Sequence, residues 1–360
     1  MLFEPYTLRC GVTLPNRIAL APLTNLQSHA DGLLADAELA FLARRADGGF
    51  GLISTCAAYV AQDGKAWDGE LGIDRDECLP GLAALASRIH AGGARAMVQL
   101  FHGGVRADSA LTGEPVWSAS VFTEGAPEGV VPRAATEQDI ATVIERFVAA
   151  GERAQRAGFD GVELHGAHGY VLSQFLSRTM NLRTDGWGGD IAARARLLRE
   201  ITQRVRARCG PRFMLGVRLS LEDFGQARGL DLDESLQVIR WLVEDGVDFV
   251  HLSLWDVHRM TTKRPEVHPL ALVRAIVPRD VAVVTAGKIW SREDADATLA
   301  HGADVVALGR SAIVNPDWPG MVRDGIEIVR PPVTRAALGA QAVSPSFVEY
   351  LTKWKNFIAD

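Results

Sequence analysis

A helix that stops at glycine and hands over to a short apolar, β-branched run recurs along this chain, and few folds accommodate that repeat. It reads GGFGLISTC at 48–56, AGFDGVELHG at 157–166, DGVDFVHLSL at 245–254 and HGADVVALGR at 301–310. Glycine ends a helix by adopting the left-handed conformation, which costs it nothing. A continuous apolar run suits a strand buried on both faces, as in a parallel sheet covered by helices. Four further runs fit the same description: RIALAP (17–22), GARAMVQLFH (93–102), PRFMLGVRLS (211–220) and DVAVVTAG (280–287). Helical patterns separate them at 36–47, 79–92, 136–157, 190–208, 231–245, 269–277 and 291–301, with a last stretch after 310. Eight alternations of strand and helix predict an α/β chain closed into a (β/α)8 TIM barrel, not an open sheet.

No Pro/Ser-rich linker interrupts the series, so residues 1–360 are expected to form a single barrel domain. The segment 103–135 after the third strand is too long for an ordinary connection and reads as an inserted loop or hairpin. The tail, about 340–360, spaces Phe347, Tyr350, Trp354 and Phe357 almost helically. Either it covers the barrel's own surface or it reaches a neighbouring subunit, which leaves homo-oligomerisation open.

Charge and composition exclude several functions. Lys and Arg number 38 against 44 Asp and Glu, a net charge of −6. That provides no basic field for nucleic acid and no polybasic arm for an anionic membrane. No run approaches the ~18 apolar residues of a membrane span. The start, MLFEPYTLRC, places an acid and a proline where a secretion signal has basic and then apolar residues. Cys10, Cys56, Cys78 and Cys209 lie far apart, without CxxC or zinc spacing, and fit free thiols in a reducing, cytoplasmic setting.

Barrel enzymes place their chemistry at the C-terminal ends of the strands. There this chain offers Pro22-Leu23-Thr24, then Cys56 to Ala58, Gln99 to His102, and HGAHGY at 165–170. Arg218 follows, then His251 to Trp255, Ala286-Gly287-Lys288 and Gly309-Arg310. Gly287 and Gly309 either simply turn the chain or let backbone N–H groups approach a phosphate, with Arg310 adding a bidentate charge. His165 and His168 can converge on one acceptor oxygen, and Tyr170 is a weak acid that stays protonated at neutral pH. The two imidazoles could also ligate a metal, but no Asp, Glu or Cys at the other strand ends completes a ligand set, so no metal is expected. Arg218 needs either a salt-bridge partner or a cofactor that becomes negative. Gln99 offers donor and acceptor to a heterocycle edge or to an internal hydrogen bond.

At these residues the chain resembles the Old Yellow Enzyme family of FMN-dependent ene-reductases, from about residue 3 to 325. The segment VELHGAHGYVLSQFLSRTMNLRTDGWGGD (162–190) is similar to the family's H-x-A-[HN]-G-Y…N-x-R-T-D-x-Y-G-G signature. APLT (21–24), VQLFHGG (98–104) and GVRLS (216–220) match in order and spacing.

The resemblance implies non-covalent FMN reduced by NADPH or NADH, with small activated alkenes (enones, maleimides, nitroalkenes) as substrates. By the same resemblance, Pro22, Leu23, Thr24 and Ala57 line the isoalloxazine, while Gln99 and Arg218 bind its pyrimidine edge. Gly287, Gly309 and Arg310 would hold the phosphate. His165 and His168 would bind the substrate oxygen and Tyr170 would protonate the alkene. Leu26, Phe101, Trp255, Arg259 and the 103–135 segment are expected to shape the substrate pocket. Cys56 replaces a frequent Glu, Arg178 a Pro, Trp187 a Tyr and Ala193 an Asn, departures that bear on packing around the fourth strand–helix loop. Cysteine positions and length set the chain apart from the iron–sulfur relatives. Two other readings compete: a phosphate-substrate barrel lyase or isomerase, and a flavin-binding protein without turnover.

Overall fold

The computed structural model describes residues 1–359. Eight strands form a closed barrel: β1 (Ile18–Leu20), β2 (Leu52–Tyr59), β3 (Arg95–Phe101), β4 (Gly161–Gly166), β5 (Met214–Leu219), β6 (Phe249–Ser253), β7 (Ala282–Ala286) and β8 (Val305–Leu308). All neighbours are parallel, and β8 closes on β1 through Val306↔Ile18 and Leu308↔Leu20. Nearly every strand residue is buried, as the unbroken apolar runs require. The recurrent glycines take the left-handed conformation that stops each helix, with φ of 92° at Gly49, 87° at Gly158, 98° at Gly246 and 115° at Gly302.

The outer helices follow the predicted pattern: α1 (Asp36–Asp47), α2 (Leu79–Ala91), α3 (Glu137–Arg156), α4 (Ile191–Cys209), α5 (Leu232–Glu244), α6 (Pro269–Arg274), α7 (Arg292–Ala300) and the short α8 (Arg310–Val314). Residues 136, 190 and 291 are caps, not helical residues. The side chains of Thr136, Asp190 and Ser291 accept backbone N–H groups of the first turn.

Inside the barrel, Leu52, Met97, Met214 and Phe249 pack with alanines and with Leu8, Cys10 and Leu14. The last three belong to an N-terminal segment whose short ladder pairs Tyr6–Thr7 with Thr13–Leu14 antiparallel. It plugs the end of the barrel where the strands begin. Large side chains here demand glycine opposite: a Cβ on Gly216 would lie 2.0 Å from the Phe249 ring.

The inserted segment takes the loop form and not the hairpin one. Its two strands, Trp117–Ser118 and Arg133–Ala134, run parallel, because the chain between them makes a full return passage. The tail folds over its own barrel. Phe347 is buried against Phe41 of α1, with ring centroids 5.4 Å apart. Ser344 N–H and Ser346 Oγ donate to Gln27 Oε1 and Leu26 O, both at 3.0 Å. Among the described residues no helix is long and apolar enough to cross a membrane.

Candidate active site

Strand ends and tail together enclose a cavity of about 280 Å³ at the rim where the barrel strands end. Its wall includes Pro22, Leu23, Thr24, Ala57, Gln99, His165, His168, Tyr170, Arg218, Trp255, Gly287, Gly309 and Arg310. These thirteen residues, scattered over the sequence, meet there because they lie near or just beyond the C-terminal ends of the strands. A register shift in β2 between Ser54 and Ala57 aims Ala57 into the cavity. Cys56 is fully buried beside Glu38 of α1, so a carboxyl still lies where Glu is frequent.

His165 closes β4, and His168 stands in the following turn with φ 62°, a conformation that His tolerates better than most residues. Their ring centroids are 4.9 Å apart and nearly perpendicular, and Tyr170 lies 5.0 Å from His165. Burial, reinforced by the positive charges of Arg218 and Arg106, holds both imidazoles well below the usual range. They are therefore neutral at physiological pH. His165 Nδ1 accepts Ala167 N–H at 3.4 Å, which puts the ring proton on Nε2 as a donor. His168 Nε2 shares a 2.7 Å hydrogen bond with Ser253 Oγ, which also accepts from Arg218 at 3.3 Å. Burial raises the phenol of Tyr170, so it stays protonated.

Beneath the cavity lies a charged network inside the barrel. Glu163, wholly buried, accepts from Gln99 Nε2 at 2.7 Å and shares a 2.7 Å hydrogen bond with His251 Nδ1. Burial opposes its charge, but His251 and Arg218 hold it below the ordinary carboxylate value. Gln99 thus spends its amide N–H on Glu163 and keeps Oε1 as an acceptor. Among the described residues no carboxylate lies within ion-pair distance of Arg218, and its Nε has no partner. A buried cation in that condition fits an anionic ligand better than an internal salt bridge.

At the opposite end, Gly287 and Gly309 hold backbone close. A Cβ on Gly287 would come within 2.8 Å of Asp256 N, and one on Gly309 within 3.3 Å of Leu23 Cδ2. Lys288 is ion-paired to Asp256 at 2.9 Å, whereas Arg310 stacks 5.3 Å over the Trp354 ring.

Four pocket expectations need correction. Leu26 does not line the cavity; it sits in a left-handed turn (φ 53°), its carbonyl taken by Ser346. Phe101 also stays behind the wall, fully buried and edge-on to Tyr170 at 4.4 Å. Arg259 is exposed, and no residue of 103–135 reaches the lining; that segment meets the site through Arg106, which contacts Tyr170.

Sequence reasoning missed Trp67, Ser253, Tyr350 and Trp354, all of which line the cavity. Ser253 ends β6 and was open to the strand-end rule. Tyr350 and Trp354 were visible only as a half-signal, their near-helical spacing. The other three departures are accommodated locally, alongside Arg194 of α4. Arg178 pairs with Glu234 at 2.9 Å, Trp187 Nε1 donates to Glu137, Ala193 N–H is taken by the Asp190 cap, and buried Arg194 donates to Glu234 at 2.6 Å.

Comparison with known proteins fits this geometry. Residues 1–328 match the model of the NADH:flavin oxidoreductase / NADH oxidase family. The chain is 37% identical over 334 residues to the probable NADH-dependent flavin oxidoreductase YqiG of Bacillus subtilis, covering 91% of this chain and 88% of that one. It is 34% identical to an NADPH dehydrogenase of Halalkalibacterium halodurans, covering 88% and 92%. The solved structure of an old yellow enzyme homologue from Zymomonas mobilis superposes with a TM-score of 0.84 at 26% identity, covering 97% and 99%. These matches set aside the lyase or isomerase reading and the flavin protein without turnover. The chain belongs to the NADH:flavin oxidoreductase / NADH oxidase family, the Old Yellow Enzyme family, and is an FMN-dependent NAD(P)H oxidoreductase.

Proposed function

We propose that this enzyme reduces the C=C bond of activated alkenes (enones, maleimides, nitroalkenes) and that residues 1–360 act as one FMN-binding barrel domain. One observation carries the reading: two neutral imidazoles and a protonated phenol converge in a single buried pocket. Pro22, Leu23, Thr24 and Ala57 would form the wall against the flavin ring. Gln99 Oε1 matches a ring N–H, and Arg218, which has no carboxylate at ion-pair distance and no partner for its Nε, suits the negative charge of a reduced ring. Gly287, Gly309 and Arg310 would hold the phosphate. Bound there, FMN would supply the hydride chemistry, drawing on NAD(P)H and serving the substrate's β-carbon.

The protein's share is position and field. His165 and His168 bind the carbonyl or nitro oxygen, and negative charge developing there meets donors held in place without water. Neutral imidazoles serve best, since imidazolium would bind ground-state anions as well. Tyr170 delivers the proton to the α-carbon, and Trp255 bounds the space for the substrate's far end.

Anaerobic mixing of the reduced protein with an enone, a maleimide and a nitroalkene tests the reading. Rapid flavin reoxidation with a saturated product is expected. Reoxidation by dioxygen alone, with every alkene inert, would overturn it.

A further inference from the structure

The inserted segment reaches the site through one side chain. Arg106 ends a short turn after β3, half-buried, and its guanidinium carbon lies 4.4 Å from the centroid of the Tyr170 ring. Its Nη1 also donates to His168 O at 3.0 Å. Among the described residues it has no carboxylate within ion-pair distance, although most arginines of this chain do.

The contact is built and not incidental. Gln174, wholly buried, ties the Arg106 turn to the turn carrying His168 and Tyr170. Its Nε2 donates to Gly103 O at 3.1 Å and Gly169 O at 2.7 Å, and its Oε1 accepts Val105 N–H at 3.2 Å and Ser118 Oγ at 2.9 Å. Gly104 sits against that amide with φ 58°, where a Cβ would lie 2.2 Å from Gln174 Oε1. The turn carrying Arg106 therefore cannot drift from the turn carrying Tyr170 without breaking a buried hydrogen-bond set.

We propose that Arg106 is a positioning residue for proton delivery: it holds the Tyr170 ring and the His168 turn together and steadies the charge left when Tyr170 gives up its proton. The inference rests on the reading of Tyr170 as proton donor. In that step the phenolic O–H bond breaks and a C–H bond forms at the α-carbon, while hydride from reduced FMN completes the β-carbon. The O–H electron pair stays on the phenol oxygen beneath the guanidinium, until water restores the proton. A cation over an aromatic face stabilises that charge most when desolvated. The charged and titratable groups acting on Tyr170 are Arg106, His165, Glu70, Tyr350 and Arg218; Arg106 opposes the effect of burial, whereas Glu70 and Tyr350 add to it.

The test compares Arg106→Met, Arg106→Lys, Tyr170→Phe and the Arg106→Met/Tyr170→Phe pair, with FMN reduction and alkene reduction timed separately. Arg106→Met should slow alkene reduction ~10-fold relative to flavin reduction, the scale of one partly desolvated cation–π contact. It should also shift the alkaline limb of the alkene step, and Arg106→Lys should restore most of the rate. In the Tyr170→Phe background the Arg106→Met effect should fall below about twofold, because the charge it serves never forms. In the flavin-free protein, peptides spanning 166–172 should exchange amide hydrogen faster in Arg106→Met. Equal loss of both half-reactions, an unmoved pH limb, or full persistence of the effect in the Tyr170→Phe background would overturn the proposal. If Tyr170→Phe itself leaves alkene reduction intact, the proton-donor reading fails and this proposal falls with it.

Discussion

Replacing His165 by alanine removes a donor that sits almost out of water, with only 4% of the residue exposed. Its Nδ1 is occupied by Ala167 N–H, so the group lost is the Nε2–H that faces the cavity. Where a donor meets charge that develops only in the transition state, its removal costs ~2.7–4 kcal/mol, or a factor of ~10²–10³ in rate. His168 survives 4.9 Å away and water can enter the space left, so the lower end of that range applies here. Flavin reduction by NAD(P)H builds no such charge on an oxygen at this position and should fall by less than about 10-fold. Anaerobic rapid mixing resolves the two steps, and His165→Asn, which keeps an N–H, should recover part of the alkene rate. A loss under about fivefold in alkene reduction, or an equal loss in both steps, would refute the oxyanion argument.

Three further outcomes follow from the same structure. Because burial depresses the pKa of His165 and His168 below 6.5, alkene reduction should show no acid limb near 6.5 and fall only at lower pH. The sign for stability is the same: the unfolded chain binds more protons than the folded one below 6.5, so thermal stability should decline as pH drops through that value. A melting temperature flat from pH 7 to about 5 would contradict both imidazoles being buried neutral. In the barrel interior, Gly216→Ala places a methyl 2.0 Å from the Phe249 ring and should destabilise by about 1–3 kcal/mol in thermal melts. Phe249→Leu in the same chain should recover much of it; no loss in the single variant would show that the interior yields more than its packing indicates.

The architecture was legible because two local signals agree: glycines that need a left-handed φ and apolar runs without alternation. Both are properties of a few neighbouring residues. Most of the site was legible too, since His165, Tyr170, Gln99 and Arg218 are polar groups at the ends of apolar strands, where packing alone gives no reason for them. What could not be read depends on chain far away. Trp354 lines the cavity only because the tail returns over the rim, anchored by Phe347 on α1 and by Ser346 on the turn after β1. Leu26 was expected in the pocket, but that same anchor holds its turn. Glu163 and His251 lie within apolar strands, and their pairing across the barrel interior depends on register, which sequence does not display. Arg106 meets the Tyr170 ring directly, and buried Gln174, in the short helix Val171–Leu176, ties the two turns together, a contact between loops with no periodicity to betray it.

The central claim is that this pocket divides its labour, donors on the oxygen and one phenol on the carbon. Tyr170→Phe removes a single hydroxyl and keeps the ring that packs edge-on to Phe101. Mixing the oxidised variant with NAD(P)H should show flavin reduction near the unmodified rate, and single-turnover mixing of the reduced variant with an enone should show alkene reduction slowed by ~10²-fold, the contribution of one positioned acid. An unchanged alkene step, or the two steps slowed alike, would contradict the account.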